Sequence, residues 1–109
     1  MEATEIIRFF LHDKIAAKMW KRTEREQDGF ITYQFVSKNS RDYHFEIICN
    51  ESYEHVWISH WSGGIALTIF SRDITKLRSF DHNLWIDFGE SSYILIAYGH
   101  KVTHHDNSL

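Results

Sequence analysis

The sequence predicts an α+β domain in which one long N-terminal helix packs on a curved, mostly antiparallel sheet of about six strands. Residues 3–26 contain no Pro or Gly and are rich in good helix formers. Residues 29–70 alternate short apolar runs with turn residues, as an antiparallel meander does. Two further apolar runs follow near the end of the chain. A length of 109 residues suits a single domain with one core.

The N-terminal run has an apolar side that would lie on the sheet. Asp28-Gly29 supplies a stop signal for the helix. Asp13 interrupts the apolar side, while Ile7, Leu11 and Ile15 lie outside it. Either the first turns are buried on several sides, or the helix breaks near His12-Asp13. The residues expected on the buried side are Ile6, Phe9, Phe10, Ala16, Ala17 and Trp20.

Five cations follow a helical spacing in the second half of this run. At 100° per residue they form one stripe along the predicted helix. A solvated helix face is the plain interpretation, and a contact that steers an acidic partner is the sharper one. The stripe consists of Lys14, Lys18, Lys21, Arg22 and Arg25.

Four strands are predicted between residues 29 and 70. Gly29–Ser37 and Tyr43–Cys49 are rich in β-branched and aromatic residues, with turn chemistry between them. Tyr53–Phe70 reads as a hairpin about Gly63-Gly64, because both central residues of a type I′ turn need positive φ.

The two faces of this hairpin differ in chemistry. If the two glycines are the central turn residues, Ser62 lies opposite Ile65 and the faces alternate outward from that pair. The aliphatic face carries Val56, Ile58, His60, Leu67 and Ile69, and is expected to join the core. The other face carries His55, Trp57, Ser59, Trp61, Ala66, Thr68 and Phe70. Its mixture of aromatic and small polar residues suits a partly wet surface or one covered by an amphipathic partner.

The chain after Phe70 is expected to begin with a short helix or a helical turn, because Asp73 could cap a turn that carries Ile74 and Leu77 at helical spacing. Leu84–Phe88 and Tyr93–Tyr98 are the last two predicted strands. A two-residue turn at Gly89-Glu90 would place Trp85 on the same face as Ser92, Ile94, Ile96 and Tyr98. Residues 100–109 are polar and are expected to form a flexible tail.

Composition bounds the cellular setting and the partners. The net charge of −3 argues against recruitment of nucleic acid by the whole-chain field. Cys49 is the single cysteine, so no internal disulfide forms. No secretory leader or apolar run of membrane-spanning length is present in the sequence. We expect a cytoplasmic protein with no membrane partner.

Sequence motifs for catalysis, phosphate binding or metal ligation are absent, and no cofactor or metal is expected. His104-His105 with His100 could ligate zinc only if that segment were helical. A small enzyme remains an alternative if His44, Glu46 and Asp87 converge on one sheet face.

The sequence therefore favours a small non-catalytic module that binds a protein partner, such as an inhibitor, antagonist or adaptor. Proteins of this kind include some encoded by phages and mobile elements. Large exposed aromatic patches usually mark interaction sites. The expected contact residues are Trp57, Trp61, Phe70 and Trp85, with the five cations steering an acidic partner. Alternatives are burial of this face by the chain itself, a homodimer interface, and nucleic-acid binding through the same cations and rings.

Overall fold

The computed structural model describes residues 2–38, 43–62 and 65–106 of the chain. Two helices, α1 (Glu2–His12) and α2 (Ala16–Met19), precede the strands β1 (Trp20–Gln27), β2 (Phe30–Ser37), β3 (Tyr43–Cys49), β4 (Glu54–Ser62) and β5 (Ile65–Ile69). A 3-10 turn at Ser71–Asp73 leads to β6 (Ile74–Phe80), β7 (Asn83–Phe88), β8 (Ser92–Ala97) and β9 (Lys101–His105). No helix in these ranges is both long and apolar enough to cross a membrane.

The strands form two antiparallel meanders rather than one sheet. Sheet A has the order β1-β2-β3-β4-β5, and sheet B has the order β6-β7-β8-β9. The α+β class is confirmed, while the single sheet of about six strands is wrong. The split falls at Ser71–Asp73, where the chain leaves β5 and starts a second set of pairings.

Helix α1 contacts β3 and β4 of sheet A and also β6 of sheet B. The ring of Phe10 stacks on Phe35 at 4.4 Å between centroids and packs against Trp20 and Phe45 at 5.0 Å. These side chains are buried, and burial of each large apolar side chain stabilises the fold by about 1.5–3 kcal/mol. The core also takes in Ile6, Phe9, Val56, Ile58, Ile69, Leu84, Ile86, Ile94 and Ile96. Ala17, which was expected on the buried side, is exposed, because it belongs to the separate helix α2.

The long helix predicted over residues 3–26 is wrong, and the alternative break at His12-Asp13 is confirmed. The Asp13 carboxylate accepts the backbone N–H groups of Ile15 and Ala16 at 3.1 and 3.0 Å, which starts a separate short helix. Asp28 and Gly29 both have positive φ, so they form a hairpin turn that pairs β1 with β2. Cross-strand pairing outweighs the helix propensity of the exposed, charged β1 segment.

The hairpin over Tyr53–Phe70 is confirmed in the described residues. Ser62 lies opposite Ile65, and Ile58 lies opposite Ile69. Val56, Ile58 and Ile69 are buried, as expected of the aliphatic face. Gly63 and Gly64, and the side chains of His60, Trp61 and Leu67, lie outside the described part of the structure.

Two expectations for the C-terminal third are wrong. Ile74 and Leu77, expected in a short helix or a helical turn, lie in β6, which follows one 3-10 turn and pairs with β7. The segment expected to be a flexible tail contains β9, whose residues pair with β8. Asp81 and His82 both have positive φ and form the β6–β7 turn.

The register of the last hairpin, which the sequence left open, follows from a loop longer than Gly89-Glu90. Phe88 lies opposite Ser92, which leaves a three-residue loop rather than a two-residue turn. Each side chain on β8 is therefore shifted to the other face. Trp85 lies opposite Leu95 and on the same face as Tyr93, instead of with Ile94 and Ile96.

A close contact at Gly99 joins the β8–β9 turn to the helical N-terminal region. A Cβ at Gly99 would lie 2.8 Å from the backbone nitrogen of Ala16 and from Cβ of Ile15. The buried Trp20 indole Nε1–H donates to the Gly99 carbonyl at 2.9 Å. The Gly99 N–H donates to the His82 carbonyl at 2.6 Å. Three turns of the chain therefore meet at one backbone position.

Substitution Gly99→Ala is expected to destabilise the protein strongly. The φ of +75° costs a non-glycine residue about 1–3 kcal/mol. Overlap of the new Cβ with Ala16 adds about 1–3 kcal/mol of overpacking. Gly29→Ala is the matched control, since φ is +82° there and nothing lies within 4 Å of the added Cβ. Equal losses in urea unfolding for the two variants would show that the close contact contributes nothing.

Substitution Asp13→Ala is expected to lower the free energy of unfolding by about 1–2 kcal/mol, as loss of a helix cap does. The variant also loses the 2.7 Å contact from Asp13 Oδ1 to His82 Nδ1. Glu5→Ala is the control, because Glu5 pairs with Arg8 at 3.4 Å on an exposed helix surface. A loss at Glu5 as large as that at Asp13 would contradict the proposed role of the cap.

Candidate protein-binding face

The candidate site is an aromatic cluster on the outer face of sheet A, the face opposite the core. Alternation along β4 places His55 and Trp57 on this face while Val56 and Ile58 point to the core. Tyr53 and Trp57 are 47% and 42% exposed, which is unusual for rings of this size. We call this cluster the aromatic patch; it comprises Phe30, Tyr53, His55, Trp57 and Phe70.

The rings of the aromatic patch contact one another in sequence across the face. Tyr53 stacks on His55 at 6.4 Å, and His55 meets Phe70 edge-to-face at 5.2 Å. Trp57 lies 6.3 Å from Phe70, and Phe30 lies 5.8 Å from Tyr53. Such pairs add about 0.5–1.5 kcal/mol each beyond simple burial, so the patch is held in one arrangement.

Polar contacts fix the orientation of individual rings. The indole Nε1–H of Trp57 donates to Thr68 Oγ1 on the neighbouring strand at 3.0 Å. The guanidinium carbon of Arg72 lies 5.2 Å from the centre of the Phe70 ring. Trp57 therefore keeps its hydrogen bond inside the protein and leaves ring surface free for a partner.

Trp85 does not belong to the aromatic patch, contrary to the sequence-based expectation. It lies on the outer face of sheet B, 4.9 Å from the Tyr93 ring and 4.8 Å from the Arg78 guanidinium. Its Nε1–H donates to Asp87 Oδ1 at 2.6 Å, and Asp87 also pairs with Arg78 at 3.3 Å. Both the ring and the N–H of Trp85 are occupied by neighbours. Trp57 and Phe70 are placed together as predicted, and the Trp61 side chain lies outside the described structure.

The basic helix stripe does not form, because its residues lie on three different elements. Lys14 falls between α1 and α2, and Lys18 lies in α2. Lys21, Arg22 and Arg25 lie in β1, where alternation separates Arg22 from the other two. Lys21 and Arg25, opposite Val36 and Thr32, share the outer face with the aromatic patch. The spacing of these cations is helical only if residues 20–27 form a helix, and they form strand β1.

The proposed convergence of His44, Glu46 and Asp87 is wrong. His44 Nε2 lies 3.8 Å from Glu46 Oε2, and Gln34 Nε2 donates to the same oxygen at 3.1 Å. Asp87 belongs to sheet B and is held by Arg78 and Trp85. The catalytic alternative therefore loses the third member of its constellation.

The C-terminal histidines lie in a strand rather than a helix. His104 lies opposite Ile94 and His105 lies opposite Tyr93, so their rings point to opposite faces of sheet B. Across the described residues, no group of three or more potential metal ligands is assembled.

Tyr53, Phe30 and Arg72 were missed as members or neighbours of the aromatic patch. The period of two through Tyr53, His55 and Trp57 would have found the tyrosine. Phe30 and Arg72 reach the patch only through the sheet pairing and the turn after β5, which have no local sequence signal.

The chain matches no protein-family model, and neither the curated proteins nor the solved structures yield a significant match. The functional argument for this chain therefore rests on geometry and chemistry.

Cys49 borders an open groove of about 560 Å³ but carries no activated thiol. Burial, and then the nearby Glu54 carboxylate, raise the pKa of the Cys49 thiol. A raised pKa leaves less thiolate at neutral pH, and the thiolate is the reactive form.

Alkylation of folded Cys49 by iodoacetamide is therefore expected to be slower at pH 8 than in the urea-unfolded chain. The pH midpoint of the alkylation rate should also lie higher in the folded protein. An unchanged midpoint with a lower plateau would instead point to restricted access, and a faster reaction would contradict the direction of the shift.

Proposed function

We propose that this protein is a small non-catalytic binding module that engages a partner protein through the outer face of sheet A. The observation that carries the proposal is the exposed aromatic patch, with Tyr53 and Trp57 at its centre. Trp and Tyr dominate binding hot spots because they bury a large area with few rotatable bonds.

The rigidity of the aromatic patch supports this proposal. Its rings are held by mutual contacts and by the hydrogen bond from Trp57 to Thr68. A partner that docks there does not have to order the side chains, so less of the binding free energy is lost. An inhibitor, antagonist or adaptor has use for such a prearranged surface.

Charge around the aromatic patch favours an acidic partner. Lys21 and Arg25 lie on the same face, and Arg72 lies against Phe70. Two acidic side chains lie nearby and are hydrogen-bonded within the protein: Glu46 accepts from Gln34, and Asp73 accepts from the backbone N–H of Phe70. We place the interaction in the cytoplasm, in line with a single unpaired cysteine.

Substitution Trp57→Ala is expected to weaken partner binding by about tenfold or more, because hot-spot truncations cost about 2 kcal/mol or more. The partner would be captured from lysate of the source organism with the wild-type protein, identified by mass spectrometry and purified. Affinity would then be measured by titration calorimetry. Trp57 is 42% exposed but also bonds Thr68 and contacts Phe70, so unfolding stability should fall by about 1–3 kcal/mol, and affinity would be measured where both proteins are folded.

Trp85→Ala is the matched control for this experiment. It removes a ring held by Arg78, Tyr93 and Asp87, so it should reduce stability and leave the affinity unchanged. Equal affinity of Trp57→Ala and wild type would reject the aromatic patch as the interface. A concentration-dependent dimer that Trp57→Ala abolishes would assign the same face to a second copy of the chain.

A further inference from the structure

A second recognition feature lies at the bend between α1 and β1, at the edge of sheet A. A groove of about 370 Å³ opens there, within the size range of ligand-binding clefts. Its floor is formed by Leu11 and Ala17, which are partly or fully exposed, together with the buried rings of Phe10 and Trp20. Its rim carries Lys21, Arg22 and Lys38. The cationic rim and the apolar floor together suit a ligand that carries both negative charge and an apolar group.

The floor of the groove is rigid. Phe10 and Trp20 meet edge-to-face at 5.0 Å, and the Trp20 Nε1–H is held by the Gly99 carbonyl at 2.9 Å. The rim is also anchored, because the Lys38 backbone N–H donates to the Met19 carbonyl at 3.1 Å. This bond brings the end of β2 beside the start of β1 and sets Lys38 close to Lys21 and Arg22.

The rim cations concentrate positive charge in a protein whose net charge is −3. None of the ion pairs found among residues 2–38, 43–62 and 65–106 involves Lys21, Arg22 or Lys38. Among the described residues, the lining of the groove contains no Asp or Glu. The groove therefore attracts negative charge locally, even though the whole-chain field does not.

We infer that this groove binds an acidic peptide segment of the partner protein, one in which Asp or Glu residues flank an apolar side chain. The acidic groups meet the rim, and the apolar side chain lies against Leu11 and Ala17. The phosphates of a nucleic-acid backbone could pair with the rim cations but would make no contact with the apolar floor. The inference rests on the proposed function, because it specifies the partner, but the groove shares no ring with the aromatic patch, and only Lys21 lies near both.

The test uses the full-length protein and three synthetic probes. The first is an eight-residue peptide of alternating Glu and Leu, the second replaces each Leu with Ser, and the third is a single-stranded oligothymidine. Binding would be followed by ¹H–¹⁵N NMR, where the Trp20 indole resonance reports on the floor. We expect the Glu–Leu peptide to shift this resonance and the amides of Lys21, Arg22 and Lys38, with affinity that falls as salt is added.

Charge reversal tests the rim. The double variant Arg22→Glu/Lys38→Glu is expected to lower the affinity for the Glu–Leu peptide by about tenfold or more, because two attractive charge contacts become repulsive. Lys76→Glu/Lys101→Glu changes the net charge equally on exposed positions of sheet B and should leave the affinity unchanged. Equal loss in both variants, equal binding of the Glu–Ser peptide, or tighter binding of oligothymidine would each overturn the inference.

Trp57→Ala separates this inference from the proposed function. The variant lacks a ring of the aromatic patch but keeps the groove, so it should bind the Glu–Leu peptide as tightly as wild type does. If Trp57→Ala binds both the Glu–Leu peptide and the partner as tightly as wild type does, the aromatic patch is rejected and the groove is retained. If the wild-type protein does not bind the Glu–Leu peptide, while partner affinity still falls in Trp57→Ala, the groove is rejected and the aromatic patch is retained.

Discussion

The contact at Gly99 is the constraint on which the rest of the structure depends. At this position the backbone of the β8–β9 turn lies against Ala16. The Gly99 carbonyl accepts a hydrogen bond from the Trp20 indole Nε1–H, and the Gly99 N–H donates to the His82 carbonyl. Sheet B is thereby tied to the point where the helical region becomes sheet A. The same contact holds the Trp20 indole, so the packing of this region depends on one glycine that has no Cβ to separate the elements.

The two outer faces show how similar residue types acquire different roles. On sheet B, Arg78, Tyr93 and Asp87 occupy the ring and the N–H of Trp85. On sheet A, Thr68 takes the N–H of Trp57 but much of its ring remains exposed. The solvent-exposed apolar area of the ring, rather than the presence of a tryptophan, distinguishes a candidate binding surface from one whose side chains contact only each other.

Much of sheet A could be predicted because its signals are local. The strand at Tyr43–Cys49, the Tyr53–Phe70 hairpin and its buried face follow from alternation and turn residues. The aromatic patch was partly predictable for the same reason. Asp28-Gly29 carried a turn signal too, but its meaning depended on whether Lys21–Gln27 was helix or strand. Only pairing with β2 decides that question, because the charged residues of β1 suit either structure.

The sequence by itself determined the α+β class, the faces of the central hairpin and part of the buried core, since periodicity and burial are properties of short segments. The tertiary structure decided the helix length, the number of sheets and the placement of Trp85 and the cations. Each of these depends on which distant strand supplies the hydrogen bonds and on how a loop sets the register. Those free energies exceed the small propensity differences between helix and strand, so local sequence could not reveal them.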